Sequence, residues 1–348
     1  MRRVSEFKRF LVLFMAVCVV FAMSGCSKKS DTLEDASGLA GVTTSFEDDT
    51  VFTVADRRVS LTEWNLYALS KVAQIESMYG NSIWNYSVDT DGATMSEKLK
   101  EDIKDQIVYV KTISSQAERL GITINEDEQI DINIQTEEFL SKLTEAQKVE
   151  YAIDADAVKA VLTENQLAMK VYENLTLNID TAIPDEEVRH MVLEYIMVPK
   201  TYEDEKTGDI MEYSVEELAQ MKAEAENFMN FVKAQGAEAT LSELNEEEYS
   251  VVTMIADYAE LKDKFPEELA GIAFNLRQYE IDGLYETDAG FFVLQCVSRT
   301  DEKTTNAARV KIIEERQKAL FESEFKKWQK EVVVKYNYHL WDDINLHP

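Results

Sequence analysis

Residues 265–299, FPEELAGIAFNLRQYEIDGLYETDAGFFVLQCVSR, decide the fold. A short helix is expected after Pro266. Two strands follow, one around Ile281 and one from Gly290 to Val297, the second rich in the aromatic and β-branched residues that suit a pleated surface. Cys296, inside the run FFVLQCV, reads as a buried strand residue. Working outward, Tyr195–Val198 is a compact apolar strand. Lys206-Thr207-Gly208-Asp209 predicts a hairpin turn, Ser214 with Glu217 predicts a capped helix closed by Gly236, and Tyr249–Ile255 predicts another strand. The resulting β-α-β-α-β-β order predicts a small α+β sheet domain of four strands.

Both flanks of this unit are helical. On the N-terminal side, VFTVADRRV (Val51–Val59) reads as a short strand and turn. Ser60 with Glu63 predicts a capping box before a helix carrying Trp64, Leu66, Tyr67 and Leu69. A helix from near Ser96 repeats Leu99, Ile103, Ile107 and Val110 every three or four residues until Gly121 stops it. Two more follow, one opened by Asn125 with Glu128, the other carrying Val158, Leu162, Met169, Tyr172 and Leu175. After Arg299 another helix places Ile313, Phe321, Phe325, Trp328 and Val332 on one face, which needs a partner. The sheet unit is therefore expected to be inserted into a mostly helical domain built from both ends of the chain, with Val332–Leu346 closing it.

The opening MRRVSEFKRF sets four basic residues before an apolar run, Leu11–Met23, that ends at Ser24-Gly25-Cys26. A membrane-crossing helix needs about 20 residues, so this shorter run predicts a removable export signal. Met23-Ser24-Gly25-Cys26 is similar to a lipobox, which makes Cys26 the expected lipidation site; each buried methylene of the lipid would add about 0.8 kcal/mol of anchorage. Residues 26–50 are small, polar and unpatterned, as a flexible tether should be. The expected organisation is then 1–25 signal, 26–50 tether, 51–190 helical domain, 191–300 sheet domain, and 301–348 a helix and tail completing the helical domain.

The chain of 348 residues has a net charge of −30, and loss of the leader, with its four basic residues and one acidic residue, deepens this to −33. Such a surface repels nucleic acid and anionic headgroups, so membrane association is expected through the lipid alone. Of three cysteines, Cys18 leaves with the leader and Cys26 is consumed, so Cys296 has no partner for a disulfide. Three scattered histidines and no paired cysteines predict no metal and no cofactor. No phosphate-cradling loop or recognisable nucleophile setting is present, and with 66 acidic residues a chosen carboxylate pair is uninformative.

Taken together, VFTVADRRVSLTEW, AERLGITINEDE, IPDEEVRHMVLEYIMV, the 265–299 stretch and KKWQKEVVVKYNYHLWDDI resemble, in order and spacing, the PrsA and SurA family of extracytoplasmic foldases. The resemblance covers nearly all of residues 51–345. It implies a parvulin-type peptidyl-prolyl isomerase domain within a helical chaperone domain. It also implies unfolded or partly folded secreted polypeptides as partners, and leaves a homodimer open. Amide rotation faces a barrier of roughly 18–20 kcal/mol, and its catalysis needs an apolar cup for the proline ring with placed hydrogen bonds behind it, not a nucleophile. By the resemblance Phe265, Leu261 and Phe274 fall on the cup. The two family histidines are replaced by Tyr195 and Phe292, and the glycine-rich segment that carries an Asp or Cys has no equivalent between Tyr249 and Phe265. Tyr195 and Phe292 are therefore expected to fill a former active site, with no confident catalytic residue. Tyr195, Leu261, Phe265 and Phe274 remain the substrate-binding candidates. His190, five residues before Tyr195, does not take over the lost role. The expected function is a lipid-anchored extracytoplasmic chaperone with a degenerate isomerase domain. An active isomerase with an altered site and a solute-binding or scaffold lipoprotein are the alternatives.

Overall fold

The computed structural model describes residues 46–47, 49–88, 92–245, 249–344 and 346. The expected leader, the tether up to residue 45 and Cys26 lie outside them. Contacts divide the described chain into two compact units, one of residues up to 178 and from 318 onward, the other of residues 179–317. The fold is α+β and mostly helical, with one small sheet in each unit and a separate β-ribbon in the second.

The first unit opens with an antiparallel pair, β1 (Thr50–Val54) and β2 (Arg57–Ser60), turned at Ala55, whose φ is 54°. Helix α1 (Leu61–Tyr79) follows, and Ser60 caps it by accepting the Glu63 N–H. The expected capping box is only half formed, because the Glu63 carboxylate turns away to the buried ammonium of Lys111, 2.9 Å distant. A charged donor outbids a neutral amide for a buried carboxylate. A single 3₁₀ turn, Asn81–Asn85, buries Trp84.

Helix α2 (Met95–Ser114) has a complete capping box at Thr94 and Glu97 and buries Leu99, Ile103, Ile107 and Val110, the periodic positions. It stops earlier than Gly121. The hydroxyls of Ser114 and Ser115 bond back to the carbonyls of Lys111 and Thr112, a local competitor of helical bonding. A short α3 (Gln116–Arg119) then precedes Gly121, whose φ of 67° turns the chain. Asn125 and Glu128 box α4 (Glu126–Lys142), Thr144 and Gln147 box an unexpected α5 (Glu145–Glu150), and α6 (Ala155–Thr176) buries Val158, Val161, Leu162, Ala168 and Val171.

The second unit holds α7 (Asp185–Val188), β3 (Met191–Pro199) and the two-stranded ribbon of β4 (Thr201–Glu203) with β5 (Ile210–Glu212). The ribbon turns at Lys206–Asp209 as expected, with Asp204 Oδ1 accepting the Lys206 and Thr207 N–H groups at 2.9 Å. Next come α8 (Val215–Gln235), boxed by Ser214 and Glu217 and ended at Gly236, and α9 (Leu241–Leu244). After β6 (Val251–Ala256) stand α10 (Tyr258–Lys264), α11 (Glu267–Asn275), β7 (Ile281–Glu286) and β8 (Gly290–Ser298). The strands form one antiparallel sheet in the order β6-β3-β8-β7.

Alternation along β3 and β8 assigns the two faces of that sheet. Met191, Leu193, Tyr195, Phe292, Leu294 and Cys296 pack against α10 and α11. Ile196, Val198, Phe291 and Val293 pack with α8. On the α8 side Glu194 and Gln295 are buried but satisfied: Glu194 accepts from Ser242 N–H (2.9 Å) and Oγ (2.5 Å), and Gln295 joins Leu241 N–H and Ala239 O, both at 2.7 Å.

Helix α12 (Glu302–Gln329) leads back to the first unit, where Phe321 and Trp328 are buried with Val110, Ile113, Ala168 and Val171. Strand β9 (Val334–Tyr336) then pairs with β1, giving the order β2-β1-β9, and Asn337 bonds the backbone of Thr50 and Val51. Finally α13 (Tyr338–Asp343) places Trp341 edge-on to Trp64 at 5.4 Å and to Phe52 at 6.2 Å. One core thus draws on segments from both ends of the chain.

Candidate functional site

The residues expected at a proline cup converge on the α10–α11 face of the second unit. Leu261 lies on α10. Phe265 ends that helix in extended backbone, and Pro266 starts α11 without a side-chain cap; Phe274 lies near its end. Tyr195 reaches the same place from β3 and Phe292 from β8, because both occupy positions of one parity in their strands. All five are buried, with 0–9% of their surface exposed.

Tyr195, Phe265 and Phe292 form a closed triangle of rings. Phe265 stands edge-on to Tyr195 at 5.3 Å and to Phe292 at 5.5 Å, and Tyr195 and Phe292 are 6.0 Å apart. Edge-to-face pairs at these distances are favourable, about 0.5–1.5 kcal/mol each beyond their buried area. The space beneath Leu261, Phe265 and Phe274 is therefore occupied by protein. The outer side of Phe274 is covered as well: the Arg189 guanidinium lies 3.7 Å from its ring centroid and donates to its carbonyl at 3.0 Å, and Tyr258 is 5.4 Å away.

Chemically, this arrangement binds hydrocarbon to hydrocarbon. Phe292 has no hydrogen-bonding group. Cys296, buried two residues beyond Leu294, has its thiol pushed up to about 11 by burial, opposed by the weaker pull of Arg299 and Arg189, so it is not a nucleophile at neutral pH. His190 is not in the triangle. Its Nδ1 is 2.8 Å from the Val188 carbonyl and its Nε2 faces Glu260.

Sequence reasoning missed two features. One is the Arg189 cover on Phe274. The other is an ion cluster around the buried Lys111 of the first unit, whose Nζ meets Glu63 and Glu164 at 2.9 Å while Arg57 reaches Glu164 at 3.4 Å. Burial, partly offset by Lys111 and reinforced by Glu164, pushes the Glu63 carboxyl up to about 7. No sequence spacing announces either group. No helix among the described residues is long and apolar enough to cross a membrane.

Comparison with known proteins agrees with the sequence resemblance. The foldase protein PrsA of Caldanaerobacter subterraneus subsp. tengcongensis is 24% identical over 299 residues, which span 83% of this chain and 82% of that protein. Among solved structures, one from a pair of SurA-like chaperones of Campylobacter jejuni covers 83% of this chain and 99% of its own at 12% identity and a TM-score of 0.29. PrsA of Bacillus anthracis covers 65% and 96% at 13% identity and a TM-score of 0.23. These superpositions are too loose to carry structural conclusions. The profile of the SurA-like N-terminal domain matches residues 1–179, more than half of the 348, and the chain belongs to that family of SurA-like proteins.

Proposed function

We propose that this protein is an extracytoplasmic foldase of the chaperone kind, held to the membrane by a lipid on Cys26, whose isomerase-like domain no longer catalyses proline isomerisation. One observation supports the second half: the rings of Tyr195, Phe265 and Phe292 close on one another where the resemblance would put the proline cup. Apolar shape and desolvation alone leave most of an 18–20 kcal/mol barrier in place when no donor is aimed at the twisting amide. Residues 51–190 and 301–348 would then form the chaperone body and 191–300 the inactive domain; the contact boundaries fall instead at 178 and 317, so that 179–190 and 301–317 group with the sheet domain.

The clients are unfolded or partly folded secreted polypeptides. Exposed side chains suited to them stand at the end of α1 and just after it, Met78, Tyr79 and Tyr86; methionine and aromatic groups adapt to many apolar sequences. The test has two arms on the purified mature chain. Suppression of aggregation of an unfolded client at near-stoichiometric ratio is expected, with no more than a few-fold acceleration of X-Pro isomerisation in a peptide. A rate matching an intact parvulin would overturn the inactive-site reading, and failure to suppress aggregation would overturn the chaperone reading.

A further inference from the structure

His190, Asp257 and Glu260 lie 67 residues or more apart in part, yet each offers a ligand atom within 4.8 Å of the others. We propose that they form a binding site for a divalent transition metal of the zinc type.

The imidazole is held in place before any ion arrives. Its Nδ1 lies 2.8 Å from the carbonyl of Val188. A carbonyl only accepts, so Nδ1 carries the proton and Nε2 points the other way, the arrangement by which metal-binding histidines are oriented. The backbone is fixed too: His190 N–H donates to Thr305 Oγ1 at 3.0 Å, and its carbonyl accepts from Asp301 N–H at 2.7 Å. Nε2 then faces Glu260 Oε2 at 3.9 Å. Nε2 and this carboxylate oxygen are both metal-ligating atoms, and a cation placed between them can bond both.

The carboxylates have oxygens to give. Asp257 Oδ1 accepts Glu260 N–H at 2.8 Å, and Glu260 Oε2 accepts Asp257 N–H at 3.0 Å. The box uses Asp257 Oδ1 and Glu260 Oε2, the latter also the oxygen that faces Nε2, so an ion would share Oε2 with the box or take the second oxygen of each carboxylate. In a tetrahedral zinc site with bonds of about 2.0–2.1 Å, ligand atoms are about 3.4 Å apart. Modest side-chain rotations close the difference. One nitrogen with carboxylate oxygens favours zinc-type ions over calcium or magnesium, which prefer oxygen alone. Asp301 also faces His190 but is committed to Thr304, whose N–H it accepts at 2.9 Å. A bound ion would strap the start of β3 to α10, the helix that carries Leu261.

Titration of the purified chain with Zn²⁺ against a chromophoric chelator tests this. One ion per chain is expected at micromolar affinity or tighter, with a rise in the thermal unfolding midpoint. Asp257→Asn and Glu260→Gln keep the capping groups while removing the charges, and each is expected to weaken binding tenfold or more, as is His190→Gln. All three variants should unfold like wild type without zinc. If the triple variant binds Zn²⁺ as tightly as wild type, or if wild type binds none in this range, the proposal is wrong.

Discussion

Glu63 shows how much one buried carboxyl can contribute. With its pKa raised from 4.5 to about 7 mainly by burial, the native state holds a proton that the unfolded chain has already released between those values. The sign follows: stability from this group is fully present below pH 4.5 and lost as pH rises through 7. The magnitude is on the order of 3 kcal/mol. Denaturant unfolding of the first unit between pH 5 and pH 8 should therefore show falling stability, and Glu63→Gln should flatten that slope; an unchanged slope in the variant would place the effect elsewhere. The sequence could not announce this residue. Glu63 reads locally as half of a capping box, and its true partner, Lys111, lies on another helix. Tyr195 and Phe292 were singled out by the family resemblance alone, and the structure places them in one buried cluster.

At the scale of elements, what is encoded locally was legible and what is encoded by contact was not. Asn125 with Glu128 and Ser214 with Glu217 form the boxes their spacing implies, because both partners sit within one turn. The four-stranded sheet was readable from compact apolar runs such as Tyr195–Val198 and Phe291–Val297 set between helical segments. The end of α2 at Ser114 was not, because it depends on where two serine hydroxyls point. Gly290 illustrates a constraint of close approach. A Cβ there would overlap the Val198 carbonyl oxygen and touch Pro199 Cα at 3.0 Å. Gly290→Ala should thus separate β8 from β3 at its first pair and cost about 1–3 kcal/mol or more. An unchanged urea midpoint for the second unit would show that the strand absorbs the methyl group by shifting.

At the scale of the whole molecule, the first unit depends on its last residues. Tyr336 pairs with Phe52, and Trp341 packs on Trp64. A chain stopped after Gln329 should expose Trp64, red-shift tryptophan emission and lose protease resistance in residues 50–178; retention of all three properties would show that β9 only decorates a finished core. That segments from both sides of the sheet unit share a core was legible because the apolar face of α12 needed a partner.

Thr50–Val54 lie some 280 positions before Val334–Tyr336, the neighbour that completes their sheet. Until β9 pairs, a row of β1 amides and carbonyls stays open to other strands. Before β9 arrives, the first unit therefore presents the same unsatisfied strand edge that an unfolded chain does.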